Sequence, residues 1–403
     1  MAELTGIKER IISLSSELFY ETRDIRRHLH MYPELSYKEF LTSAYIGRWL
    51  KKNNIEFSEG VAGTGIIAEI KGKGVGTRVI GVRAELDALP ITEKNITGYE
   101  SMNPGVMHAC GHDAHMAMLL GVAGVLKRIA DNFGGTVLLI FQPGEEKNPG
   151  GARLVIESGA FDNLKPDMFI AHHILPELET GKVGYKPGRY MASCDEIYLT
   201  VRGTGGHAAL PGLTTDQILI ASNLVIRLKK EIDDKQKLNQ IPTVLGIGKI
   251  IGDGATNVIP EKVEIAGTFR TFDEKWRAEA LDKIREVSES TAREFRVQID
   301  VNITEGYPVL VNDETLTQKA IEYSTDLLGA DMIETYDIRM SSDDFSFYSA
   351  IAPSLYYRVG IKSSGTEMRK LHTAEFDIDE NGMKTGVANM SWLLYNFLRN
   401  TDF

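Results

Sequence analysis

Cysteine is almost missing from this chain: its 403 residues include 2. That scarcity argues against a secreted framework held by disulfides. Long apolar runs are missing too. The longest, roughly Met116 to Leu126, is far short of the ~20 residues that a membrane-spanning helix needs. The segment Met1 to Arg10 carries acids and no apolar core, so no secretory leader is expected. Positive charge is in deficit: 45 Lys and Arg face 56 Asp and Glu, a formal net charge of −11. An acidic surface repels nucleic-acid phosphates and anionic lipid, so neither is an expected partner. A small anionic substrate remains compatible, because one local Arg overrides the global field. No repeats and no low-complexity tracts occur. These absences point to a soluble, cytoplasmic protein.

What is present suits a large globular protein. A chain of 403 residues exceeds one ordinary domain. Hydrophobic residues make up 43% and charged residues 25%, enough apolar material for a sizeable core.

Residues 1–187 alternate between helical and strand patterns. Arg10 to His30 reads as one amphipathic helix and Thr42 to Lys52 as another. Gly65 to Ile70 and Arg78 to Arg83 read as strands, followed by a long helix from His112 to Ala130. Thr136 to Phe141 and Asp167 to His173 are near-continuous apolar runs, as expected for strands buried on both faces. The alternation predicts an α/β domain with a mainly parallel central sheet.

The pattern changes near Gly188. Ile197, Leu199 and Val201 alternate with polar residues. A helix over Thr214 to Ile232 follows, then strands over Val244 to Ile251 and Lys262 to Phe272, a helix over Glu274 to Phe295, and an alternating strand through Val297 to Ile303. This β-α-β-β-α-β order predicts a ferredoxin-like domain over residues 188–304, inserted into the first. Helix and strand alternation resumes after Glu305. Residues 305–403 are therefore expected to rejoin residues 1–187.

The chemistry-bearing residues are scattered. Met107 to His115 places Cys110 and His112 two residues apart at the start of a helix, where both side chains can converge. A thiolate beside an imidazole suits Zn²⁺ and similar divalent ions. Glu145 and Glu146 follow Val137 to Phe141 and Gln142-Pro143-Gly144. They should lie at the carboxyl end of a buried strand, where open α/β sheets place their sites. Adjacent carboxylates point differently, so one can ligate while the other handles protons. His172 and His173 end another apolar strand; by alternation, one of the two enters the site. His372 means little alone. Asp87, following the strand ending at Arg83, can accept a hydrogen bond from a ligating His and fix its tautomer. Five ligands exceed the four of a tetrahedral zinc site. They suit two metals about 3.5–4 Å apart that share a bridging ligand.

With these residues in view, the chain resembles peptidase family M20, and within it the amidohydrolase branch of hippurate, auxin-conjugate and N-acyl amino acid hydrolases. The resemblance spans nearly the whole chain. It is carried by Arg27-His28-Leu29-His30, Pro33 to Ser36, Arg83 to Pro90, His108 to Asp113, Phe141 to Glu146, Gly206 to Pro211, Asn257 to Pro260, Gly267 to Arg270, Asp343 to Ser346 and Leu371-His372. Where the branch usually has Asp-Met-Asp, this chain has Glu85-Leu86-Asp87. Asp343 stands where Glu is usual, and Lys147-Asn148-Pro149 where Gly is more usual.

The resemblance implies Cys110, His112, Glu146, His173 and His372 as ligands of two divalent metals. Zn is the expected pair, with Mn, Co or Ni as options. It implies Glu145 as general base and the inserted domain as a lid and dimerisation domain. It further implies that His207 of that domain donates to the oxyanion of the partner subunit's reaction, so a homodimer is expected. Asn257 and Arg270 are the candidates for holding a substrate carboxylate. The expected reaction is hydrolysis of the amide of a small N-acyl amino acid. Two rivals are a carboxypeptidase or dipeptidase of the same fold and a catalytically silent metal-binding protein. The presence of Glu145 disfavours the second.

Overall fold

The structure, a computed structural model, describes residues 2–400. The chain divides into two compact units. One comprises residues up to Gly188, Val311–Asp337 and the residues from Asp344 on; the other comprises Arg189–Leu310 and Ile338–Asp343.

In chain order the elements are α1 (Ala2–Glu17), α2 (Phe19–Met31), α3 (Phe40–Lys52), β1 (Glu56–Val61), β2 (Gly65–Lys71), β3 (Val79–Glu85), α4 (His112–Arg128), β4 (Thr136–Gln142), α5 (Gly151–Glu157), β5 (Met168–Glu179), β6 (Val183–Tyr185) and β7 (Gly188–Met191). Then come β8 (Cys194–Arg202), β9 (Gly206–His207), α6 (Gln217–Asn239), β10 (Thr243–Ile251), β11 (Val258–Ile259), β12 (Lys262–Thr271), α7 (Glu274–Phe295) and β13 (Gln298–Tyr307). The chain closes with β14 (Leu310–Asn312), α8 (Glu314–Leu328), β15 (Ile333–Thr335), α9 (Ser346–Ser349), β16 (Ser354–Lys362) and α10 (Gly382–Arg399).

The first unit is built on an eight-stranded sheet in the order β1-β2-β4-β3-β5-β16-β6-β15. Its centre, β4-β3-β5-β16, is parallel throughout. The β1–β2, β2–β4 and β6–β16 pairings are antiparallel. The sheet is thus mixed and mainly parallel at its core. Strands β3 and β4 are buried almost end to end, which is why their sequences read as apolar runs rather than alternations. Helices α4 and α10 are buried along nearly their whole length against the sheet and each other.

The expected single helix from Arg10 to His30 is two helices, broken at Leu18. Both turns carry apolar residues of the same core, so periodicity alone does not reveal the break. The strand expected to stop at His173 runs on to Glu179.

The second unit holds a four-stranded antiparallel sheet in the order β10-β12-β8-β13. Helices α6 and α7 supply Ile220, Leu224, Leu228, Trp276, Ala280 and Ile284 to a core shared with Ile197, Leu199, Val263 and Phe269 of the strands. Asp216 and Asp273 cap the two helices by accepting from Leu219 N and Trp276 N. With its short β9–β11 ribbon set aside, the unit follows β-α-β-β-α-β in a ferredoxin-like arrangement.

Candidate metal centre

The carboxyl ends of β3 and β4, the middle of β5 at His173 and the start of α4 converge at one point of the first unit. Gly111, the residue before α4, has φ of +82°, and a Cβ on it would lie 2.1 Å from Ile174 Cδ1. Only glycine fits that backbone and that contact. The turn it allows swings Cys110 and His112 to the same side. Gly144 does the same for the loop after β4: its φ is +61°, and an added Cβ would meet the Tyr37 ring at 2.2 Å.

The five expected ligands, all in this unit, gather. Cys110 Sγ lies 3.4 Å from His173 Nε2 and 3.3 Å from His372 Nε2. His372 Nε2 lies 3.4 Å from Glu146 Oε1. Donor atoms of Cys110, His112 and His173 fall within 4.8 Å of one another, and so do those of Cys110, Glu146 and His372. Cys110 belongs to both groups. Glu145 is buried, and its carboxylate is within 4.8 Å of donor atoms of His112 and Glu146.

Several contacts aim these side chains. His173 Nδ1 is 2.7 Å from Ile174 O, which turns Nε2 toward Cys110. His112 Nδ1 is 2.9 Å from the backbone carbonyl of Asp87 and 3.4 Å from its Oδ1. The carbonyl, rather than the carboxylate, is its nearer partner. Asp87 Oδ2 instead accepts from Ser36 Oγ at 2.7 Å and from Glu146 N at 2.9 Å, tying together the loops that follow β3 and β4. His372 has φ of +59°, a left-handed conformation that costs a non-glycine residue about 1–3 kcal/mol. Its amide donates to Ala109 O at 2.8 Å.

The protein framework sets the protonation of these groups. Burial pushes the Cys110 thiol up, reinforced by the nearby charge of Glu146. Burial and the neighbouring His115 and Arg358 hold His173 well below the usual histidine range, so its ring is neutral and free to ligate. His372, half exposed, is pushed up to about 10 by its contacts with Cys110 and Glu146. His112 Nε2 and Glu146 Oε1 are buried and make no hydrogen bond. Orphaned buried polar atoms of this kind are costly, and a cation held by the group satisfies both. The donor set of thiolate, imidazoles and carboxylate therefore fits a pair of divalent metals.

The sequence profile of peptidase family M20/M25/M40 matches residues 81–396. The chain belongs to peptidase family M20. This M20 chain is 37% identical over 374 residues to the N-acetyl-L-cysteine deacetylase of Bacillus subtilis, covering 92% of this chain and 86% of that protein. It is 33% identical over 381 residues to the thermostable carboxypeptidase 2 of Saccharolobus solfataricus, covering 93% and 94% respectively. Among solved structures it resembles a dinuclear metal binding peptidase of the M20 family from Bacillus subtilis. The TM-score is 0.80 at 32% identity, over 95% of this chain and 99% of that one. This M20 chain is accordingly a metal-dependent hydrolase of amide bonds.

The other three expected residues of this M20 chain lie in the second unit. His207 is exposed on β9, and β9 pairs with β11 so that Ala208 N donates to Asn257 O at 3.0 Å. His207 and Asn257 thus flank one short ribbon. Arg270, on β12 and half-buried, donates from Nη1 to Met340 O at 2.9 Å.

Unexpected from motif spacing is a layer of buried charge beneath the ligands: Arg83, Glu85, His115 and Asp344. A signal existed. Arg83 lies inside the otherwise apolar run Val79 to Ala84 and Glu85 directly follows it, and a buried strand tolerates such charges only if they are paired.

Proposed function

We propose that this M20 enzyme hydrolyses the amide bond of N-acyl amino acids, using two divalent cations, most simply Zn²⁺, with Mn²⁺, Co²⁺ or Ni²⁺ as substitutes. The observation that carries this reading is the sharing of Cys110 between two three-residue groups, with Glu145 beside them. Cys110, His112 and His173 would hold one ion, and Cys110, Glu146 and His372 the other, leaving Glu145 for proton transfer. When bound, such ions lower the pKa of a coordinated water toward about 7 and polarise a carbonyl.

The remaining work falls to side chains. Glu145 accepts the proton of the attacking water and passes it to the leaving amine, a role that suits a buried carboxylate adjacent to a ligand. Asp87 positions His112 and the Glu146 backbone. His207 donates a hydrogen bond to the tetrahedral oxyanion, supported by its exposure at the end of a fixed ribbon. Asn257 and Arg270 hold the substrate's carboxylate, Arg270 as a bidentate donor. We read residues 188–304 as a lid and dimerisation domain, the working enzyme as a cytoplasmic homodimer, and residues 1–187 with 305–403 as its catalytic domain.

The similarity to a deacetylase of an N-acetyl amino acid supports an acyl substrate. The similarity to a carboxypeptidase supports a second reading, cleavage of peptides. A panel of acetyl- and benzoyl-amino acids beside dipeptides, assayed on metal-reconstituted protein, decides between them. Faster turnover of dipeptides than of every N-acyl amino acid overturns the first reading.

A further inference from the structure

His115 sits one helical turn past His112 on α4 and has no place in the ligand set. Its side chain is fully buried. Its Nδ1 lies 2.8 Å from Glu85 Oε2, and its Nε2 lies 3.0 Å from the backbone nitrogen of Ile174. A backbone N–H can only donate, so Nε2 accepts and Nδ1 carries the proton that goes to Glu85.

Ile174 is the residue on which three contacts converge. Its carbonyl orients His173 through Nδ1. Its side chain fills the space that Gly111 leaves open between Cys110 and His112. Its amide is held by His115. The need for that last contact follows from the sheet. Strand β3 pairs with β5 only as far as Arg83↔Ala171. Ile174 therefore lies on the stretch of β5 that β16 still flanks, at Val359↔Ile174, but β3 no longer does, and its buried N–H finds its acceptor in a side chain. His115 supplies it.

Behind His115 the chain of contacts continues. Glu85 Oε1 accepts from Arg83 Nη1. Arg83 Nη2 donates to Asp344 Oδ1 at 2.5 Å, and Arg83 Nε to Gln142 Oε1 at 3.2 Å. Gln142 Nε2 donates to both oxygens of Asp344, at 2.9 and 2.8 Å. Asp344 Oδ2 also accepts from Ala152 N at 2.9 Å. The network thus touches the ends of β3 and β4, whose following loops carry Asp87, Glu145 and Glu146, and the middle of β5, which carries His173. Burying such charges costs several kcal/mol per ion, and an apolar replacement is often at least as stable. Stability alone is a poor reason for the arrangement; fixed geometry is a better one.

We infer that Arg83, Glu85 and His115 form a positioning relay that sets the His173 ring through the Ile174 peptide, and so tunes the affinity of the cation His173 holds. Glu85, His112 and His115 also offer donor atoms within 4.8 Å of one another. They do not make a further cation site, because both His115 nitrogens are already engaged. The relay rests on the proposed reading of His173 as a ligand.

Two amide substitutions separate the contacts. In His115→Asn the amide reaches Glu85 but falls short of Ile174. In His115→Gln it can accept from Ile174 and donate to Glu85. Co²⁺ is titrated into metal-free protein, with occupancy followed by visible absorption and by elemental analysis, beside thermal unfolding of the metal-free protein. We expect His115→Asn to weaken one of the two Co²⁺ equivalents about 10–100-fold, the range for residues that orient a ligand, and to shift its absorption band. The other equivalent should be unchanged, and His115→Gln should restore both. Equal weakening of both equivalents in His115→Asn, wild-type binding in that variant, or no recovery in His115→Gln overturns the relay. His173→Ala is measured in parallel. Full Co²⁺ stoichiometry there refutes the ligand reading itself. Loss there with wild-type binding in His115→Asn refutes the relay alone.

Discussion

Cys110 Sγ and His372 Nε2 lie 3.3 Å apart across 262 residues of chain. No local rule of folding connects them. The turn at Gly111 presents one and the left-handed backbone of His372 presents the other. The amide of His372 is anchored on Ala109 O, one residue before the cysteine.

Removing that thiol should disturb both cation positions at once, since Cys110 belongs to both donor groups. Cys110→Ala should bind fewer than two metals per chain by elemental analysis after dialysis against buffered Zn²⁺. A stoichiometry equal to that of the parent protein would count against a shared ligand.

Glu145→Gln removes a base and keeps the volume. Metal content should hold while kcat falls about 10²–10⁴-fold, the range for a lost general base. Unchanged turnover would remove Glu145 from the proton-transfer role.

His207→Ala lies in the second unit and leaves the ligands intact. An oxyanion donor is typically worth about 10²–10³ in kcat. We expect that loss with unaltered metal content, and with KM much less affected. A change in KM alone would recast His207 as a binding residue.

Gly111→Ala forces a side chain into the left-handed region and against Ile174 Cδ1. Overpacking of this kind costs about 1–3 kcal/mol, and the φ adds strain. The thermal midpoint should drop by several degrees, and metal affinity should drop with it. A variant as stable as the parent would show that the turn relaxes freely.

His30 provides a pH test away from the ligands. It is buried, with Nδ1 2.8 Å from Asp113 and Nε2 3.2 Å from Glu93. Arg26 lies 3.4 Å from its Nδ1, and the Tyr99 ring packs edge-on. Burial and Arg26 push its pKa down; the two carboxylates outweigh them and raise it. A raised pKa stabilises the fold fully below the unfolded value of about 6.5 and fades as pH rises through the folded value. The stability difference between the parent and His30→Gln in urea should therefore be larger at pH 5.5 than at pH 9. A difference that grows with pH would contradict the assignment.

Much of this protein was legible in one dimension. The buried parallel strands announced themselves as apolar runs at Val137 to Phe141 and Met168 to Ala171, because a strand covered on both faces has no polar period. The second unit's alternation along β8 and β13 and its capped helices were readable for the complementary reason. Donor types were readable too, because few side chains bind transition metals. Other features have no local signature. The break at Leu18 lies within a continuous apolar face, and residues 338–343 return to the second unit without a named element.

The sequence by itself determined the inventory: which thiol, imidazoles and carboxylates exist, which strands end beside them, and which glycines permit the turns. Tertiary structure alone decided which of those atoms meet. Cys110 stands in two donor groups because His173 and His372, far from it in sequence, both reach its sulfur, and His115 accepts from the Ile174 amide where β5 has outrun β3. Strand lengths within a sheet are set by packing between distant segments, and no local window of residues carries that information.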